Sequence, residues 1–281
     1  MDFLHIALWG IVFFTLMGLL FGVALAATAR KFHVPADPVI DQVRDNLPAA
    51  NCGACGFAGC QGYAEAVVEK PSVEASRCIP GGKSVAEIVA KLTGKIAEAV
   101  EERVVMLRCS GITAVAKDQA VYDGIKTCNA AVLAYGGPKA CKNGCLGLGD
   151  CQRICPFDAI HVKGLGIAEV DFNKCTGCGL CVSVCPKNIL ELYPRIRRVE
   201  LSCVALDKAS IVRPTCLVGC TICRKCVSAC PAGALTWTGK TILIDHEKCL
   251  SYGPSCEEAC VEICPTFVLH RPGQAPKLET V

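Results

Sequence analysis

The apolar residues of this chain are gathered into one long run and then scattered in short pieces. From Ile6 to Ala29 no position is charged. As a helix such a run spans roughly 36 Å at ~1.5 Å per residue, against a hydrocarbon core ~30 Å thick. It predicts one tilted membrane crossing. A cleaved leader is the rival reading, because Ala24-Leu25-Ala26 has the form of a cleavage site. Against it, Met1 to His5 holds Asp2 and no Lys or Arg, and the apolar run exceeds the ~7–15 residues of a leader's core. The run therefore reads as a retained anchor. Arg30 and Lys31 follow it directly and nothing basic precedes it. The excess of positive charge on that flank puts residues 30–281 on the cytoplasmic side.

Beyond the anchor the pattern is weaker. Pro35 and Pro38 punctuate a linker, and Asp37 is placed to cap a helix starting at Pro38. Residues 84–102 predict a packing helix with Val85, Ile88, Val89, Leu92 and Ile96 on one face, weakened by Gly94. Two hairpins are expected. One joins Ile160-His161-Val162 to 167–170 across Gly164 and Gly166. The other joins Leu235-Thr236-Trp237 to 241–244 across Gly239-Lys240. The chain also repeats. Val105 to Cys109 parallels Val199 to Cys203, Cys141 to Cys145 parallels Cys216 to Cys220, and each half reaches a Cys-Pro followed by a short strand. A duplicated compact domain is the simplest account. The expected units are 1–31, an anchor; 32–102, a linker and small cysteine domain; 103–198, a first module; and 199–281, a second module with a tail.

Composition changes the picture through one residue type. Cysteine fills 24 of 281 positions, while aromatics make up only 6%. Such a chain needs staples, and a reducing compartment favours metal over disulfides. The net charge of +3 is too small to suggest a nucleic-acid partner.

The cysteine spacing is specific. Cys175, Cys178, Cys181 and Cys185-Pro186 form C-x2-C-x2-C-x3-C-P, and Cys220, Cys223, Cys226 and Cys230-Pro231 repeat it. In this two-cluster ferredoxin run three cysteines wrap one [4Fe–4S] cube and the fourth crosses to the other. Structural zinc prefers two C-x2-C pairs with a longer spacer. Gly177 and Gly179 are expected to let the backbone approach a cube closely. The partner runs are irregular: Cys141, Cys145, Cys151 and Cys155 in the first module, and Cys249, Cys256, Cys260 and Cys264 in the second. Leu148 stands where the first run lacks a cysteine, and Cys141 is the natural substitute. Crossing the fourth cysteine predicts four quartets: Cys141, Cys145, Cys151 with Cys185; Cys175, Cys178, Cys181 with Cys155; Cys220, Cys223, Cys226 with Cys264; and Cys249, Cys256, Cys260 with Cys230. A fifth site is Cys52, Cys55, Cys60 and Cys78, where spacing alone leaves zinc open. About five [4Fe–4S] clusters are expected. Cys109, Cys128, Cys203 and Cys216 remain, either as buried free thiols or as ligands of an additional cluster. Cys216 is the counterpart of Cys141, whereas Cys109 and Cys203 end matching strands, which favours packing. Arg195, Arg197, Arg198, Arg213, Arg224 and Lys225 form a basic group, read either as a solvated face or as a dock for an acidic electron carrier. No dinucleotide fingerprint follows a strand, so no hydride site of its own is expected.

Taken together, the anchor ending in Gly22-Val23-Ala24-Leu25-Ala26, the Asn51-Cys52 to Cys60 motif with Cys78, and the tandem ferredoxin modules resemble the B subunits of the Rnf complex family. These complexes are membrane ferredoxin:NAD+ oxidoreductases coupled to sodium or proton transport. The resemblance implies an α+β chain with a single N-terminal transmembrane helix, a small helical [4Fe–4S] domain and two tandem ferredoxin-like modules of two clusters each. It implies a [4Fe–4S] cluster on the Cys52–Cys78 domain and reduced ferredoxin as electron donor. Its implied partners are membrane and peripheral subunits that carry flavins and reduce NAD+. A related complex that reduces a redox-sensing regulator shares the architecture.

Overall fold

The computed structural model describes residues 3–31, 37–99 and 101–274. Pro35 and the tail beyond Gln274 lie outside the described residues. Helix α1 runs from Phe3 to Lys31 and ends in Arg30 and Lys31. Leu8–Lys31 is long and apolar enough to cross a membrane. Its hydroxyls are satisfied within the helix: Thr15 Oγ1 donates to the Ile11 carbonyl at 2.8 Å and Thr28 Oγ1 to the Ala24 carbonyl at 3.0 Å. Apolar surroundings demand such pairing, because no water is there to take the proton.

A small helical unit follows. Helix α2 (Pro38–Asp45) starts as its sequence predicts, with Asp37 accepting from the Val39 amide at 2.9 Å. It packs with α3 (Gly59–Glu69) and α4 (Gly82–Thr93) around Val43, Tyr63, Val67 and Val89. The buried Tyr63 hydroxyl donates to the Ala75 carbonyl at 2.8 Å, which removes the cost of its burial. The helix expected over 84–102 is shorter. Gly94 turns left-handed at φ 68° and ends α4 at Thr93. The buried face is Ala86, Val89 and Ala90, and Ile96 lies 88% exposed.

The remainder is built from two similar units, each closed by pairing its first strand with its last. In the first, β1 (Arg103–Leu107) precedes helices α5 (Cys128–Tyr135) and α6 (Asp150–Ile154), the hairpin β2 (Ile160–Val162) and β3 (Ala168–Val170), helix α7 (Leu180–Val184) and β4 (Leu190–Pro194). Strands β1 and β4 are antiparallel, with Val105 opposite Leu192. In the second, β5 (Glu200–Leu201) precedes α8 (Ala209–Thr215), α9 (Lys225–Ser228), the hairpin β6 (Leu235–Trp237) and β7 (Ile242–Ile244), α10 (His246–Tyr252), α11 (Ala259–Glu262) and β8 (Leu269–His270). Here β5 pairs with β8. Each unit has its own apolar core, one around Val104, Ile160, Ile189 and Leu190, the other around Val199, Leu201, Leu235 and Leu269.

The two units are joined through backbone. Cys109 bridges Cys203 and Ala116 bridges Cys216, both antiparallel. Ser110 Oγ donates to Ser202 Oγ at 2.6 Å. Arg197 ties the joint: its guanidinium lies 4.7 Å from the Phe172 ring centroid and donates to the Glu200 carboxylate, with both side chains almost fully buried.

Candidate cluster-binding sites

All cysteines of the chain are free thiols, and they gather in groups. In the helical unit, burial pushes the Cys78 thiol up to about 11. The Gly81 amide offsets part of this, and the thiols of Cys55, Cys60 and Cys52 raise it further. Asn51 shapes the loop: its Oδ1 accepts from the Cys60 amide at 2.9 Å.

The thiols of the regular runs also lie beside one another. Burial pushes Cys181 up to about 12, and Cys178, Cys175 and Cys155 stand close enough to add to the rise. Burial likewise pushes Cys226 up to about 12, with Cys220, Cys264 and Cys223 beside it. Burial raises Cys260 to about 11, with Cys230, Cys249 and Cys256 around it. In each group one thiol comes from the opposite run, which is the crossing that the x3 gap and the proline impose.

The remaining ferredoxin group departs from expectation. Burial pushes Cys151 up to about 12, and its thiol neighbours are Cys145, Cys128 and Cys185. The same four cysteines line one cavity. Cys141 does not line it; its place is taken by Cys128. The reason is local. Asp150, the first residue of α6, accepts from the Asn129 amide at 3.1 Å, which pins the start of α5 next to Cys151. Lys187 fastens the other end, donating to the Gly136 and Lys142 carbonyls at 2.6 Å. Cys128 is the first residue of α5, so it is carried into the site. Spacing does not reveal this, because a whole helix separates Cys128 from Cys145. Cys141 is drawn elsewhere, since the Ala140 amide donates to the Lys117 carbonyl and Lys139 bridges Asp118.

Two glycines behave differently from the sequence reading. Gly177 adopts φ 71°, and a Cβ there would collide with the Arg103 carbonyl oxygen. The close approach it permits is to β1. Gly179, at φ 81°, has an ordinary contact to Leu192. The basic group also divides. Arg195 donates to the Phe172 and Cys175 carbonyls, Arg197 is buried, and Arg198 pairs with Glu258. Only Arg213, Arg224 and Lys225 of the six are exposed.

The donor set suits an iron–sulfur cube. Backbone amides donate to cysteine sulfurs, as Val105 does to Cys175 Sγ and Ala159 to Cys155 Sγ, both at 3.4 Å. Thiols that raise one another's pKa cannot ionise together without a cationic centre among them. Among the described residues, no three His, Cys, Asp or Glu side chains converge as a single metal ion requires. The Cys128 group and the Cys249 group each line a small cavity.

Groups of four cysteines placed in series within closed ferredoxin-like units define a multi-cluster iron–sulfur electron-transfer protein. Family models agree: one described as an Fe-S cluster matches residues 47–80, and two described as 4Fe-4S dicluster domains match 140–192 and 219–268. Among curated proteins, the chain is 48% identical to the B subunit of the proton-translocating ferredoxin:NAD(+) oxidoreductase complex of Clostridium ljungdahlii, over 91% of this chain and 89% of the relative. It is 41% identical to the B subunit of the Na(+)-translocating complex of Acetobacterium woodii, over 88% of this chain and 73% of that relative. It is 37% identical to the B subunit of the ion-translocating oxidoreductase complex of Methanosarcina acetivorans, over 89% and 92%. The chain belongs to this family of B subunits of ion-translocating ferredoxin:NAD+ oxidoreductase complexes.

Proposed function

We propose that the chain is the membrane-anchored electron-input wire of an Rnf-like complex, taking electrons from reduced ferredoxin and relaying them toward partner subunits. The observation that carries this reading is the series of cysteine quartets within a chain of this family. We assign five [4Fe–4S] ligand sets: Cys52, Cys55, Cys60 and Cys78; Cys128, Cys145, Cys151 and Cys185; Cys155, Cys175, Cys178 and Cys181; Cys220, Cys223, Cys226 and Cys264; and Cys230, Cys249, Cys256 and Cys260. Clusters held there supply one-electron carriers whose potentials follow burial and hydrogen bonds to sulfur. The protein's part is to fix their order. Cys52 is among the thiols that raise Cys178, and Cys151 is among those that raise Cys181. The helical unit therefore adjoins one quartet of the first module, and that quartet adjoins the other.

The strand closures support module boundaries at 103–198 and 199–281, after an anchor over 1–31 and a small cluster domain over 32–102. Arg30 and Lys31 at the end of α1 support a single-pass topology with the cluster units on the cytoplasmic side. One helix forms no ion channel, so ion movement belongs to other membrane subunits. The donor dock we favour is the surface around Cys223, the one exposed cysteine, flanked by exposed Arg224 and Lys225. A positive surface there steers an acidic carrier.

The test is stopped-flow reduction of anaerobically purified full-length protein by reduced ferredoxin. Rapid bleaching of cluster absorbance is expected, with the bimolecular rate roughly ten-fold lower in an Arg224→Glu, Lys225→Glu variant at low salt. Stoichiometric zinc with little acid-labile sulfide would overturn the reading.

A further inference from the structure

Four cysteines stand outside the five ligand sets: Cys109, Cys141, Cys203 and Cys216. They come from both modules, yet the fold brings all four to the wall of a single cavity of about 100 Å³ at the joint between them. The cysteine-lined cavity of the Cys128 quartet measures about 20 Å³ and that of the Cys249 quartet about 10 Å³. The four thiols also sense one another. Burial raises Cys216, and Cys109 and Cys141 add to the rise; burial pushes Cys203 up to about 12, with Cys220 and Cys109 adding.

The arrangement is two-fold. Cys109 and Cys203 face each other across an antiparallel bridge. The amide of Cys145 donates to Cys109 Sγ at 3.4 Å, and that of Cys220 to Cys203 Sγ at 3.3 Å. Cys141 and Cys216 each open the same turn, closed by the Gly144 amide onto the Cys141 carbonyl at 3.1 Å and by the Gly219 amide onto the Cys216 carbonyl at 3.2 Å. Two matching half-sites, each with two thiols, make one quartet. Free thiols kept only for packing have no reason to meet in symmetric pairs around a cavity.

The cavity is also electropositive. Lys139 is 5% exposed, and its ammonium donates to the Gly111 and Gly166 carbonyls, not to a carboxylate. Arg108, 8% exposed, leaves its Nε without a hydrogen-bond partner. Another nitrogen of Arg108 pairs with the Glu191 carboxylate at 2.7 Å, and Asp207 also lines the cavity. The orphaned Nε is costly to bury, and with the Lys139 ammonium, which meets no carboxylate, it suits an anionic guest beside four thiols. A cube with four thiolate ligands is such a guest.

We infer that Cys109, Cys141, Cys203 and Cys216 hold a sixth [4Fe–4S] cluster, shared between the two modules. The inference rests on the cluster reading of the other quartets. Its role is to join them. Cys109 adjoins Cys145 of the Cys128 quartet, and Cys203 adjoins Cys220 of the next. One electron arrives from the second module, which carries the proposed dock, and one leaves to the first, with no net change at the site. With it the quartets form an unbroken line from Cys52 to the second module.

The test uses full-length protein purified anaerobically in detergent, with iron, acid-labile sulfide and zinc measured per chain and EPR recorded after reduction. About 24 iron and 24 sulfide are expected for six cubes, and about 20 of each for five. Cys203→Ala is expected to remove about four irons. Gly111→Val is expected to do the same without replacing a ligand, because a Cβ there already sits 3.2 Å from the Ala116 Cβ and 3.6 Å from both Cys109 Sγ and Cys216 Sγ, and valine's methyls extend beyond it toward the thiols. In both variants EPR coupling between the modules falls while the other signals stay. A wild-type count of about 20, or a single zinc in this site, overturns the inference and leaves the five-cluster reading standing. Iron and sulfide near zero would instead overturn both. The wild-type count decides alone if Cys203→Ala does not fold.

Discussion

The two ferredoxin-like modules solve one turn with different residues. In the first module the left-handed positions two and four residues after Cys145 and Cys175 are glycine: Gly147 and Gly149, then Gly177 and Gly179, with φ between 67° and 82°. Two and four residues after Cys220 in the second module stand Ile222 and Arg224, with φ 54° and 60°, and the irregular run after Cys256 places Glu257 and Glu258 left-handed at φ 48° and 49°. Side chains there cost roughly 1–2 kcal/mol each relative to glycine. The same loop is therefore relaxed in one module and strained in the other. What differs is the surroundings. A Cβ at Gly177 would strike the Arg103 carbonyl, and one at Gly147 would lie 2.5 Å from the Gly166 carbonyl. Close packing leaves the first module no choice at these two positions. In the second, Arg224 uses its side chain, stacking 4.9 Å from the Trp237 centroid. Backbone crowding makes glycine necessary at Gly147 and Gly177, whereas Gly149 and Gly179 meet only ordinary side-chain contacts.

The comparison can be broken at its joint first. Arg197→Ala leaves Glu200 buried without its cation and removes the stack on Phe172. It is expected to cost roughly 3–5 kcal/mol, seen as a lower denaturant midpoint and as separate unfolding of the modules. Next, Gly147→Ala is expected to cost roughly 2–5 kcal/mol, from strain plus overlap with the Gly166 carbonyl. In the same assay Ile222→Gly is expected to stabilise by about 1 kcal/mol. Opposite signs at equivalent positions would confirm the asymmetry; equal destabilisation would sink it.

A pH series sharpens the point for the protein stripped of iron. Cys151 and Cys181 in the first module and Cys226 in the second have folded-state pKa values raised to about 12 from an ordinary 9.0. A raised thiol pKa gives stability that is present below pH 9 and lost as pH climbs toward 12. Urea midpoints of the apoprotein should fall across that window. The cluster-loaded protein should hold through it, because its sulfurs are already bound as thiolates, and should instead lose iron in acid.

Much of this was legible in the sequence. The runs at Cys175 and Cys220 announce local loops, and local loops obey spacing. The crossing of Cys155, Cys185, Cys230 and Cys264 was readable for the same reason, since the proline turns each chain away. The Cys128 quartet was not readable. Its first thiol sits on a helix held by Asp150 and Lys187, contacts that no cysteine count contains. Leu148 pointed to a missing ligand, and proximity in sequence pointed to Cys141, but Cys141 belongs to a segment paired with Lys117. The gathering of Cys109 with Cys203 was invisible as well, because it arises between units and each unit alone shows only a strand ending in a thiol. The basic group misled for a simpler reason: charge in sequence does not distinguish an exposed arginine from one such as Arg197, folded against an aromatic ring.

The closure of each unit by its own outer strands sets an order of assembly. Residues 103–107 wait for residues 190–194 before β1 has a partner, so the first module becomes complete as Pro194 leaves the ribosome. Its own thiols are then gathered and ready for metal. Cys109 and Cys141 are not among them. They stay uncommitted at the edge of a finished unit until Cys203 and Cys216 are made. Until then each of these two thiols has only its own module's half of the cavity wall beside it.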